Sequence, residues 1–186
     1  MIKQAKYGVI LYVCLAIPFV ANFLESIMVT HMLIQMPLLI VSGWLMTSYI
    51  EERFDYIVKK WNKNGVAGII LVIIITTYWM IPRTMDEALQ IPIVELFKFI
   101  SLPFLVGCPL RLSWKRLSSV WRSFIGLNYI SMFAFMAWLY IDSPVQICNN
   151  YLEIEQQLLG RGFLLITVAI VLYILQFAFI DQSKPS

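Results

Sequence analysis

The chain contains one histidine, His31, in the stretch IMVTHMLIQMPLLIVSGW (27–44), with Gln35 one helical turn later. Positions four apart share a helix face, so the imidazole and the amide point the same way. Met28, Met32 and Met36 recur at every fourth position beside them. Imidazole with thioethers is a donor set that suits copper, above all Cu(I), which prefers soft ligands. Polar groups on an apolar helix are costly in a bilayer and tend to mark function. The competing reading is packing, because methionine fills cores readily.

Other groups of chemical interest are few. Glu95 and Lys98 are three apart and are expected to pair on one helix face. Asp86, four residues after Pro82, is expected either to cap a short helix or to lead into the next span. Ser26, Thr30, Ser42 and Ser101 have no second histidine to activate them, so a hydrolase is not expected, nor is the chain expected to be an enzyme. One histidine excludes a two-histidine haem. Cys14, Cys108 and Cys148 are odd in number and far apart, so they make no disulfide framework; Cys148 is left without a role. No basic stripe with interleaved aromatics is present, so nucleic acid is not an expected partner.

These residues must be positioned by membrane helices. Of 186 residues, 60% are hydrophobic and 13% charged, and the mean hydropathy is +0.78. One soluble core of this size could not bury that much apolar surface. A span needs about 20 apolar residues. Six segments qualify, roughly 7–24, 26–49, 66–81, 91–110, 120–141 and 160–180. The expected fold class is therefore all-α, a single polytopic bundle of about six transmembrane helices in contact with membrane lipids. The N-terminal apolar run reaches Phe23, longer than a typical signal-peptide core, and is read as the first span. Trp44, Trp79, Trp114, Trp121, Trp138, Tyr49 and Tyr140 mostly flank the spans and read as an aromatic belt.

Charge sets the orientation. With both termini inside, the inner segments hold Lys3, Lys6, Arg53, Lys59, Lys60, Lys63, Arg111, Lys115, Arg116, Arg122 and Lys184. The outer segments hold only Arg83 and Arg161, so N-in, C-in is expected. His31, Met32, Gln35, Met36, Met80, Asp86, Glu95 and Lys98 then share the outer side with Glu153, Glu155, Gln156 and Gln157, and a site is expected there. A transporter is disfavoured, because no inverted repeat or pair of broken helices is legible.

Three segments resemble the CtaG-type cytochrome c oxidase assembly factors. HMLIQMPLL is similar to that family's H-M-x-x-H-M helix. WMIPRTMDEALQIP matches W-H-x-P-x-x-Y-D-x-A-L-x-x-P at Trp79, Pro82, Asp86, Ala88, Leu89 and Pro92. EIEQQLLG is similar to D-Q-Q-x-x-G through Glu155, Gln156, Gln157 and Gly160. The matches fall in the family's order. The departures are that Gln35, Met80, Glu95 and Phe99 stand where the family usually has histidine, and that six spans replace the common seven.

The resemblance implies an integral protein of the prokaryotic cytoplasmic (inner) membrane that supports a haem–copper oxidase or another large membrane complex. It implies a candidate copper site on the outer side, with His31, Met32, Met36 and Met80 as ligands and Gln35, Asp86 and Glu95 around them. A Lys98 ammonium nearby would oppose a cation unless Glu95 neutralises it. The alternative is an accessory subunit of a respiratory or membrane-oxidase complex with no cofactor of its own, a reading that the missing histidines favour.

Overall fold

The computed structural model describes residues 2–53, 60, 62–143 and 146–181. Among them the chain is helical, with no strand. Helices α1 (Ile2–Ala16) and α2 (Pro18–Glu25) come first. Helix α3 is one rod built from Met28–Thr30, a π-helical turn His31–Gln35, and Met36–Arg53. Helices α4 (Val66–Met80) and α5 (Pro82–Gln90) follow. Helix α6 joins Pro92–Ile100, a second π-helical stretch Ser101–Gly107, and Cys108–Trp114. Helices α7 (Ser119–Asp142) and α8 (Glu153–Asp181) close the chain.

Four helices among the described residues are long and apolar enough to cross a membrane: Met28–Ser48 in α3, α6, α7, and Glu153–Gln176 in α8. The pairs α1/α2 and α4/α5 are bent by 70° and 74° and bring the number to six if each is one span. The segment expected as one straight span over 7–24 is therefore broken. Proline disfavours the helical region for the residue before it, and Ile17 and Ile81, which precede Pro18 and Pro82, are extended with ψ 124° and 123°. At 1.5 Å per residue the 15-residue α1 and α4 rise only about 22 Å, less than a hydrocarbon core. Their continuations α2 and α5 turn across the bundle instead.

The π-helical stretch of α6 packs on the Met36–Arg53 part of α3, and each π-helical stretch has a proline within it or close after it. Pro37 and Pro103 have no N–H for the helical ladder. The ladder skips a residue instead: Met36 N–H donates to His31 O and Cys108 N–H to Pro103 O. Widening the turn at residues 31–35 buries His31, Met32, Gln35 and Met36 together. The two helices cross at glycines. A Cβ on Gly43 would lie 2.0 Å from Pro103 O, and one on Gly107 would lie 2.3 Å from Ile40 O. Small residues permit this backbone approach in membranes.

At one end of the bundle Asn62 Nδ2 donates to Ser113 Oγ at 2.7 Å, Arg111 donates to Trp44 O at 3.1 Å and Arg122 to Trp114 O at 3.2 Å. The α2 helix, α5 and the 146–152 loop meet at the other end. Helices α7 and α8 form a hairpin whose outer faces are apolar and exposed, at Leu127, Phe135, Trp138 and Leu165 among others. Trp79 and Tyr140, expected in an aromatic belt, are core residues, each 2% exposed. Trp79 donates to Ser101 Oγ at 2.9 Å and stacks on Phe97, and Tyr140 stacks on Phe163.

Candidate functional site

The α2–α3 junction sets a carboxylate, Glu25, beside the widened turn of α3. Helix α6 carries Lys98 into the same place. Lys98 is fully buried, and its Nζ donates to Glu25 Oε1 at 2.6 Å. The expected partner was Glu95, which lies on the same helix but is only half-buried. Glu25 sits at the end of α2, and the 70° break at Ile17 turns that end away from the line of α1. A buried ammonium needs a counter-charge at contact distance, and Glu25 supplies it from 73 residues away.

The network extends from this pair. Gln35 Nε2 donates to Glu25 Oε1 at 2.8 Å. Lys98 Nζ lies 3.3 Å from His31 Nε2. His31 Nδ1 lies 2.9 Å from the Tyr151 hydroxyl, and that hydroxyl donates to the Glu25 backbone carbonyl at 2.8 Å. The tautomer follows from donor counting. A carbonyl only accepts, so the single Tyr151 proton goes to Glu25 O, and the phenol oxygen accepts from His31 Nδ1–H. The Nε2 lone pair then faces the Lys98 ammonium. Burial, reinforced by the Glu25 carboxylate, pushes Tyr151 above the ordinary phenol range, which keeps its O–H intact. Gln35 Oε1 is fully buried without a hydrogen-bond partner.

The loop before α8 delivers Tyr151. Asp86 accepts from Asn149 N at 2.7 Å and from Asn150 Nδ2 at 3.2 Å, so Asp86 is a loop anchor within α5. Gln156 Oε1 accepts from Ile147 N at 2.9 Å and Gln146 Nε2 donates to Tyr151 O at 2.6 Å. Cys148 sits fully buried in this loop; burial and the Asp86 carboxylate push its thiol up to about 12. Gly160 lets α8 approach α7, since a Cβ there would lie 2.8 Å from Ile141 Cγ1.

Met32, Met36 and Met80 are brought together elsewhere. With Thr76, Trp79, Val106, Tyr129 and Phe163 they line an apolar cavity of about 290 Å³ between the α7/α8 hairpin and the other helices. Tyr129 and Thr76 hydroxyls bond across one wall at 2.9 Å. His31 is not part of that lining. The four candidate copper ligands thus separate into a cavity of thioethers and an imidazole engaged at both nitrogens. Among the described residues no three His, Cys, Asp or Glu side chains converge as a metal group. A resident copper held by His31 with methionines does not fit this arrangement: Lys98 stands where the cation would approach Nε2.

Glu25 and Tyr151 were missed by sequence reasoning. A carboxylate in the apolar run before a span was the available signal for Glu25. Nothing local marks Tyr151, which meets His31 across 120 residues.

Fold and site together define a helical membrane protein with a buried ion pair hydrogen-bonded to an imidazole. No family model, curated protein or solved structure matches the chain.

Proposed function

We propose that this protein is an accessory factor of the CtaG type that supports a haem–copper oxidase or another large membrane complex without holding copper at His31. The observation that carries this reading is the engagement of His31, with Nδ1 at the Tyr151 hydroxyl and Nε2 facing the Lys98 ammonium at 3.3 Å. An ammonium at that distance repels a metal cation and covers the lone pair. The positions that resemble the family have structural work here: Trp79 braces α6, Asp86 and Gln156 hold the loop, and Gly160 permits the α7/α8 contact. The exposed apolar faces of α7 and α8 suit lipid or a partner subunit.

The orientation goes with this reading: both termini cytoplasmic and the Glu25–Lys98 network in the outer half. Lys63, Arg111, Lys115, Arg116 and Arg122 fall at the end opposite Glu25 and favour it. The test is purification from native membranes with metal analysis. The expected result is co-purification with a large membrane complex, and a copper content that His31→Ala leaves unchanged. A solitary chain carrying copper that His31→Ala removes would overturn it.

A second reading keeps copper handling but moves it. Three thioethers, Met32, Met36 and Met80, line one cavity and are soft donors for Cu(I). Its test is Cu(I) binding that Met80→Leu abolishes and His31→Ala does not.

A further inference from the structure

The cavity between the α7/α8 hairpin and the other helices opens sideways. Of its lining, Pro37 on α3 is exposed and Ile40 and Ile166 are half-buried, so the mouth lies between α3 and α8. Pro37 is near the middle of the Met28–Ser48 span, and Ile166 near the middle of Glu153–Gln176. Ile34, Val41 and Leu165 around the mouth are exposed and apolar. The opening therefore faces the hydrocarbon interior, away from both aqueous ends. The hairpin touches its neighbours on both sides of the hollow. Ile125 clusters with Ile69 and Leu117, and a Cβ on Gly162 would lie 2.8 Å from Leu33 Cδ1. These contacts keep the hairpin from closing on the space.

The wall decides what fits. Thr76 O–H donates to Val72 O at 2.8 Å, which leaves Tyr129 O–H to donate to Thr76 Oγ1 at 2.9 Å. Trp79 Nε1–H is taken by Ser101 Oγ. No side-chain donor of the lining is left for a ligand. A water needs roughly two to four polar partners, and a carbonyl ligand needs a donor; neither is served. A flexible hydrocarbon chain needs none. The thioethers of Met32, Met36 and Met80 give it an adaptable, polarisable surface. At mid-depth the bilayer supplies the ends of acyl chains and no headgroups. The cavity of about 290 Å³ is roughly twice the size of an apolar cavity (~150 Å³) that stays dry yet binds benzene.

We propose that this cavity is a slot for the acyl chain of a bilayer phospholipid, which enters between α3 and α8 and lies beside Trp79. The inference uses no property of His31, so its failure leaves the accessory-factor reading standing. An acyl chain there competes with Cu(I) for the same space.

The test uses the full-length chain with Trp79 as its only tryptophan, the others replaced by phenylalanine. It is reconstituted in vesicles of phosphatidylcholine, with and without bromine along one acyl chain. Bromine quenches tryptophan emission at short range. Trp79 is 2% exposed, yet it is expected to lose emission comparably to a chain that keeps only Trp138, which is exposed on α7. Ile166→Phe fills the mouth and is expected to restore most of the Trp79 emission; Ile40→Phe serves where Ile166→Phe does not fold. If the single-tryptophan chain does not fold, the quenching of wild type is compared with that of Ile166→Phe, and the wild type is expected to be quenched more. Trp79 left unquenched overturns the proposal, whether the cavity is empty or holds an isoprenoid or Cu(I) carried over from the cell membrane. Quenching that survives the mouth-filling substitution overturns it too, because the bromine then acts from outside the slot.

Discussion

Replacing Glu25 by alanine strands the Lys98 ammonium in the protein interior. The wild-type separation is 2.6 Å, with the side chains 0% and 8% exposed. At an effective dielectric constant of 20, Coulomb's law gives about 6 kcal/mol for that pair before the opposing cost of desolvation. Cutting one member of a buried pair destabilises by about 3–5 kcal/mol, because the survivor stays buried and unpaired. Gln35 Nε2 loses its acceptor in the same variant, which adds to the cost. For a chain of this length the expected fall in Tm is roughly 6–20 °C. Glu25→Gln/Lys98→Met removes both charges and keeps an amide for Gln35. It is expected to recover to within about 1 kcal/mol of wild type. The assay is thermal unfolding in detergent, followed by tryptophan fluorescence, for wild type, Glu25→Ala and the double variant. A Glu25→Ala shift below about 1 kcal/mol would refute the reasoning. A double variant no more stable than Glu25→Ala would refute it too.

Three further outcomes follow from the geometry. Gly43→Ala places a Cβ against the Pro103 backbone and is expected to push α3 from α6, costing about 1–3 kcal/mol or more and read as a lower Tm. Asp86→Ala frees the 149–150 backbone and should cost about 1–3 kcal/mol, with faster proteolysis of the 146–152 loop; an unchanged cleavage rate would count against the anchor. Cys148, raised from 9.0 to about 12, should resist maleimide in the folded protein at pH 7.5 and react on denaturation. Its proton is held more tightly folded than unfolded, so its contribution to stability is intact below pH 9.0 and lost as pH rises toward about 12. Rapid labelling of folded protein at pH 7.5 would contradict the burial.

Apolar run length was enough to read the helical class and a set of membrane helices, because a span must satisfy its own backbone and carry about 20 apolar residues. The same rules located the start of α3 near the polar cluster, since His31 and Gln35 are four apart in an apolar helix. Pro82 marked the end of one span, but Pro18 was read through within a single span over 7–24, and the consequence of each break was not local. The sharp turn at Ile17 decides where Glu25 lands, and no pattern within α2 reveals that.

The sequence by itself determined which groups are available: one imidazole, one intramembrane lysine, several thioethers and few carboxylates. Tertiary structure decided their pairing. Glu95 was the near neighbour of Lys98 in sequence, yet Glu25 bonds it from 73 residues away. Met32, Met36 and Met80 were grouped with His31 by the side of the membrane they share, yet they face a separate cavity. Helical spacing assigns residues to a face of their own helix. Which face meets which depends on bends, glycine crossings and loop anchors such as Asp86. Those long-range contacts turned a histidine read as a copper ligand into the acceptor for a buried ammonium.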